Sequence, residues 1–99
     1  MYIIIKMELY LSDKPSKRYV IIFNNKKYYF GSPTGFTYTD GATIKQRDAY
    51  RKRHYANPTE KYRIDNLIHS PSLFSMYLLW GESKDIFKNL KMLSDKMEH

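Results

Sequence analysis

The segment "RYVIIFNNKKYYFG", residues 18–31, restricts the fold of this 99-residue chain more than any other feature. Two runs of β-branched and aromatic residues flank Asn24 and Asn25. Asparagine tolerates the positive φ that a two-residue turn requires, so the segment predicts an antiparallel β-hairpin. The first run is almost continuously apolar, which predicts burial on both faces. Residues 2–11 have a similar composition and predict a further strand.

Helical signals follow a loop at 31–43 that is rich in glycine and hydroxyl residues, with a short extended piece predicted at Phe36–Tyr38. Prolines, glycines and N-cap residues mark where each helix begins and ends. The first predicted helix spans 43–56 and has a Thr43/Gln46 capping box, and a short helical piece from Asn57 to Asn66 follows it. The third is an apolar helix, 71–80, that Gly81 ends. The last helix is capped by Ser83, and its core face consists of Ile86, Phe87, Leu90, Leu93 and Met97. We therefore expect one α+β domain over 1–99, with an N-terminal antiparallel sheet of two or three strands followed by three or four helices.

The residue inventory argues against several kinds of chemistry. The chain has no cysteine, which excludes disulfides, thiolate catalysis and cysteine-based zinc sites. Its three histidines are not at ligand spacing, and no serine lies in a nucleophile elbow. We expect no metal, no cofactor and no catalytic residue, and a small enzyme is only the third hypothesis. The apolar N-terminus is interrupted by Lys6 and Glu8, so we expect neither secretion nor membrane contact.

The predicted helix 43–56 concentrates positive charge in a chain whose net charge is +7. One pair of lysines is seven residues apart, and a second row follows i, i+4, i+7 spacing as far as His54. Such rows can neutralise phosphates or bind carboxylates, although a solvated charged face is the simpler alternative. The candidate residues for binding nucleic acid or an acidic protein are Lys45, Arg47, Arg51 and Lys52.

Three fragments of the chain together resemble an uncharacterised family encoded by nucleocytoplasmic large DNA viruses, including relatives of mimiviruses and phycodnaviruses. They are "YYFGSPTGFTYTDG", "RDAYRKRHYAN" and "LFSMYLLWGESKDIFKNLKML", and the resemblance covers about residues 18–93. Met76 and Tyr62 depart from the family pattern, which has an arginine and a tryptophan at these places. The family-motif residues in this chain are Gly31, Gly35, Tyr50, Arg53, His54, Trp80 and Gly81.

The resemblance implies a virus-encoded protein that acts inside the host cell, in the cytoplasm, the nucleus or the virion. By analogy with small basic viral proteins, we expect a non-enzymatic binding module, a minor structural protein that contacts capsid protein or packaged nucleic acid. A soluble nucleic-acid-binding regulator of the infected cell is the alternative. Within "YRKRHY", we expect Tyr50, Arg53 and His54 to hold the helix against the domain, and Arg51 and Lys52 to point outward.

Overall fold

The first elements of the fold, between residues 8 and 30, form a small antiparallel sheet. A computed structural model describes residues 6–98. Its strands are β1 (Glu8–Leu11), β2 (Tyr19–Phe23) and β3 (Lys26–Phe30), hydrogen-bonded in the order β1-β2-β3. The predicted strand at 2–11 is therefore found from residue 8 onward, and its first part, residues 2–5, lies outside the described residues.

The predicted hairpin is confirmed, with β2 and β3 joined by a two-residue turn. Asn24 and Asn25 have φ values of 51° and 62°, as a type I′ turn requires. Predicted burial on both faces of β2 also holds, because Val20 and Ile21 point to opposite faces and are both buried. On its own face, Val20 lies opposite Tyr29 in the antiparallel register.

Four helical segments follow the sheet, which confirms the predicted α+β arrangement. A 3₁₀ turn at Tyr38–Asp40 leads into them. They are α1 (Ile44–Tyr55), α2 (Pro58–Asp65), α3 (Pro71–Phe74), which continues as a π-helical segment at Ser75–Leu79, and α4 (Ile86–Met97). The capping box of α1 is present: Gln46 N–H donates to Thr43 Oγ1 at 3.1 Å, and Thr43 N–H donates to Gln46 Oε1 at 2.8 Å.

Two local predictions are wrong because short side-chain hydrogen bonds compete for the same backbone groups. The N-cap of α4 is Asp85, whose carboxylate accepts from Phe87 N–H at 2.9 Å, whereas Ser83 Oγ accepts from Asp85 N–H at 3.0 Å. The expected extended piece at Phe36–Tyr38 turns instead at Tyr38, since the carboxylate of Asp40 folds back to accept hydrogen bonds from Thr37.

Gly81 ends the apolar helix without the backbone conformation that is usual for a helix-ending glycine. A helix-ending glycine commonly adopts positive φ, but Gly81 lies outside that region and is buried instead. A Cβ at this position would lie 2.1 Å from the carbonyl oxygen of Tyr77. The preceding π-helical segment is closed by Trp80 N–H donating to Ser75 O at 3.0 Å. Gly81 is therefore required by close packing.

The core lies between one face of the sheet, the continuous α3 and π-helical segment, and α4. The predicted apolar helix is its centre, as expected. The fully buried side chains of this core include Ile21, Phe30, Leu73, Phe74, Leu78 and Leu93. The predicted core face of α4 is wrong at Phe87, which is 66% exposed because it lies at the edge of that stripe. Asn89, at 1% exposure, is buried in its place.

Candidate binding surfaces

Helix α1 is attached to the domain through polar and aromatic side chains. None of its twelve residues, all of them described, is fully buried. One side of the helix is half-buried, and the opposite side is exposed. The half-buried residues are Arg47, Tyr50, Arg51, His54 and Tyr55. The helix therefore carries part of its positive charge toward the protein.

The two arginines on that side bind the end of the π-helical segment. Arg51 Nη1 donates to the carbonyl oxygen of Trp80 at 3.0 Å, and Arg47 Nη1 approaches that of Gly81 at 3.5 Å. Carbonyl groups at a helix C-terminus lack intrahelical donors and carry partial negative charge, so a guanidinium is a suitable partner. The expected outward position of Arg51 is therefore wrong, and Arg47 likewise faces the domain.

Arg53 also differs from expectation, and Asp48 does not pair with Lys52. Arg53 was predicted to hold α1 against the domain, but it is exposed, because its position falls on the outward side of the helix. Asp48, which lies four residues before Lys52, contacts Arg47 Nε at 3.2 Å instead. The carboxylate consequently does not neutralise the outward lysine.

The exposed side of α1 carries three cations, Lys45, Lys52 and Arg53, which we call the cationic face. At 3.6 residues per turn, they fall within about 100° of the helix circumference. Exposed alanines, Ala49 and Ala56, lie among them. The cations can thus approach a partner without a bulky side chain in the way.

A cleft of about 350 Å³ lies on another side of the molecule, between the loop that follows β3 and the helices α1, α2 and α3. Most of the residues that line it have polar side chains. The polar side chains that line it include Lys17, Ser32, Tyr50, His54, Glu60 and Ser72. The cleft therefore combines residues that are far apart in the sequence.

Glu60 connects the three helices around the cleft. One carboxylate oxygen lies 3.0 Å from His54 Nδ1, and the other accepts from Ser72 Oγ at 3.2 Å. His54 thus fixes α1 to α2, as expected for this residue. The carboxylate stands between the imidazole and the hydroxyl, whereas a nucleophile triad requires the imidazole to contact the hydroxyl. An arrangement with the carboxylate in the middle is suited to holding the helices together.

An aromatic region of about 250 Å³ adjoins the cleft and shares Gly31, Ser32 and Tyr50 with it. Tyr50 stacks on Trp80 with ring centroids 4.3 Å apart and planes at 11°. Burial raises the pKa of the Tyr50 hydroxyl above its ordinary value, so this group is neutral at pH 7. Trp80 therefore packs on Tyr50 as well as against the hydrophobic core.

Two glycines shape the loop wall of this region. Gly31 has a φ of 84°, and a Cβ there would lie 3.2 Å from Leu79 Cδ1. Gly35 N–H donates to Ser32 O at 3.2 Å in a turn. Both glycines therefore serve the conformation of the backbone.

Arg18 fastens the same loop to the sheet. Its guanidinium makes a bidentate ion pair with Asp40, with N···O distances of 2.6 and 2.5 Å, and also reaches the carbonyl of Gly35 at 3.4 Å. The ion pair holds the pKa of the Asp40 carboxyl well below its usual range. No local sequence signal indicated this pair, because its members are 22 residues apart.

The remaining sequence hypotheses concern metals and membranes. Within residues 6–98, no group of three or more histidine and carboxylate side chains is arranged to hold a metal ion. His69 lies apart from the cleft and packs against Phe23 and Tyr28, where burial lowers its pKa. None of the helices in the described part of the chain has the length and apolarity to cross a membrane.

Part of the chain is similar to a known protein family. Residues 7–54, just under half of the chain, are similar to a family of unknown function (DUF5754). No curated protein and no solved structure matches the chain significantly. The matched region contains the sheet, the loop after β3 and α1 as far as His54. It thus includes one wall of the cleft, while Glu60 and Ser72 lie beyond it.

Proposed function

We propose that the protein is a non-enzymatic binding module, a minor structural component of a virus particle that contacts packaged nucleic acid. The cationic face of α1 is the observation that carries this proposal. Its three side chains are exposed, and the carboxylate of Asp48 is engaged by Arg47. A net charge of +7 provides long-range attraction toward a polyanion.

The residues proposed to contact nucleic acid differ from those predicted from the sequence. Lys45 and Lys52 remain in it, and Arg53 joins them because it is exposed. Arg47 and Arg51 support the fold by binding backbone carbonyls. A phosphate backbone suits this face, since phosphate contacts need accessible charge and no shaped pocket.

The viral setting of the proposal rests on the resemblance of residues 18–93 to the giant-virus family. A soluble regulator of the infected cell would use the same cationic face, so location distinguishes the two hypotheses. Mass spectrometry of purified particles should detect the protein in proportion to the capsid subunits. Its absence from particles that contain the expected capsid proteins would refute the structural role and favour the regulator.

The nucleic-acid contact is tested by titrating a 20-base-pair DNA duplex at several salt concentrations. The triple variant K45A/K52A/R53A should bind more weakly, and its slope of log K against log[salt] should be smaller by about 2 to 3, at roughly 0.9 per lost phosphate contact. The matched control K26A/K27A/K88A removes three exposed lysines from β3 and α4 and leaves α1 intact.

Equal slopes for the two triple variants would refute the assignment of the cationic face, because they would show that only net charge matters. If DNA binding is lacking altogether, titration with purified capsid protein tests the acidic-partner alternative. An affinity for capsid protein that the K45A/K52A/R53A variant loses and the control keeps would replace nucleic acid as the partner.

A further inference from the structure

We infer that the cleft and the aromatic region beside it form one binding site for a nucleotide, with the base in the aromatic region and the sugar and phosphate in the polar cleft. This site shares no residue with the cationic face of α1. The inference therefore does not rest on the proposed function and goes beyond it.

The aromatic region has an exposed ring that the core does not explain. Phe36 is 62% exposed and lines this region together with Trp80 and Tyr50. Gly31 and Gly35 also line this region, and neither contributes a side chain to it. Planar bases stack on such rings with little regard to their identity, since every base has a π-face.

The polar cleft offers partners for the remainder of a nucleotide. Each carboxylate oxygen of Glu60 accepts one bond within the protein, from His54 or Ser72, and a carboxylate has about four lone-pair sites in all. Two sites remain for the hydroxyl groups of a sugar. Lys17 is exposed and, with Ser32, lines the same cleft, where it provides positive charge for a phosphate.

The walls of the site are held in place without a ligand. Arg18 ties the loop to the sheet through Asp40 and Gly35, and Glu60 ties together the helices on the opposite side. A site that is already ordered loses less conformational entropy on binding. The two regions measure about 350 and 250 Å³, which places their combination within the range of small-molecule sites, roughly 300–1,000 Å³. This size suits one nucleotide.

Trp80 provides a fluorescent reporter of ligand binding, because it is the only tryptophan in the chain and it lines the site. Titration of the whole protein with adenosine 5′-monophosphate should change the tryptophan fluorescence saturably. Inorganic phosphate alone should produce no such change, since it cannot stack. The K45A/K52A/R53A variant should bind the nucleotide as the wild type does.

Two substitutions locate the ligand. Phe36→Ala should weaken binding of adenosine 5′-monophosphate by about 5- to 100-fold, the usual effect of removing one stacking ring. Phe87→Ala is the matched control, because Phe87 is similarly exposed, at 66%, and lies on α4 away from the site. Lys17→Ala should weaken binding of the monophosphate by about two- to fivefold and leave adenosine unaffected.

A short single-stranded oligonucleotide distinguishes the two sources of this ligand. Saturable binding of the monophosphate indicates a free nucleotide, whereas binding of the oligonucleotide alone indicates a base presented by a strand. In either case, Phe36→Ala must weaken the binding. The inference is overturned if neither ligand changes the Trp80 fluorescence at millimolar concentration, or if Phe36→Ala and Phe87→Ala bind equally well.

Discussion

Replacing Asn89 with aspartate tests whether its amide holds the C-terminal half of the protein together. The amide nitrogen donates to Leu78 O at 2.9 Å and to Ser83 O at 2.7 Å, while its oxygen accepts from Ser83 N–H at 3.0 Å. Asn89→Asp keeps the size and the acceptor, but it places a carboxylate oxygen against two carbonyl oxygens. The side chain is 1% exposed, so water cannot replace the lost donors.

The expected destabilisation follows from these contacts. Each lost hydrogen bond that leaves a buried carbonyl unpaired costs about 1–3 kcal/mol, so the total should be about 3 kcal/mol or more. A domain of this length is stable by about 5–15 kcal/mol. The melting temperature should therefore fall by roughly 12–24 °C, at 4–8 °C per kcal/mol.

The defect should also depend on pH. Burial and the neighbouring carbonyls raise the pKa of the introduced carboxyl above its unfolded value of about 3.9. A group with a raised folded pKa contributes stability that is present below the unfolded pKa and lost as pH rises through the folded pKa. Relative to wild type, Asn89→Asp should thus be less destabilised at pH 4 than at pH 7.

Urea unfolding, followed by far-ultraviolet circular dichroism at both pH values, measures these differences. Asn66→Asp is the matched control, since it makes the same chemical change at an exposed residue that donates to a single carbonyl, that of Tyr62. A loss below about 1 kcal/mol for Asn89→Asp at pH 7, or a loss equal to that of the control, would refute the reasoning.

Three further substitutions test the packing at Gly81, the ion pair of Asp40 with Arg18, and the attachment of α1. Gly81→Ala should lower the free energy of unfolding by about 3 kcal/mol or more, because its Cβ would lie 2.1 Å from Tyr77 O; an unchanged urea midpoint would contradict this. Asp40→Asn should cost about 1 kcal/mol at pH 7. Arg18 lowers the folded pKa of Asp40, so the extra stability of the wild type over Asp40→Asn should be lost as the pH falls below about 4. The melting temperatures of the two proteins should therefore approach each other at low pH. Arg51→Ala should lower the free energy of unfolding in urea by about 1 kcal/mol and leave the salt dependence of DNA binding unchanged. A smaller salt slope for this variant would show that Arg51 contacts the DNA.

The parts of the fold that sequence predicts are those determined by neighbouring residues. Asn24 and Asn25 adopt the backbone conformation that their side chains tolerate, and the turn depends on little else. The start of α1 is likewise fixed by reciprocal bonds between Thr43 and Gln46, three residues apart. Such signals survive in any tertiary context, so strands, turns and helix starts follow from them.

The parts that sequence does not predict depend on residues distant along the chain. Helical spacing shows that Arg51 and Arg53 point in different directions, but which one faces the domain depends on where α1 meets the carbonyl of Trp80. The contact of His54 with Glu60 arises because two helices meet after a proline turn, and Ser72 completes it from a third helix. The hydrophobic periodicity of the sequence does not indicate these contacts between helices. The aromatic region is likewise formed by residues that are distant along the chain.

The attachment of α1 through half-buried polar side chains has a consequence for its motions. Segments with few buried apolar contacts open locally at a lower free energy than the core. The amide hydrogens of α1 should therefore exchange with solvent sooner than those of the segment containing Leu73 and Phe74, which are fully buried. A partner bound to the cationic face would slow this exchange selectively. The element that contacts the partner is thus also the element whose order the partner can change.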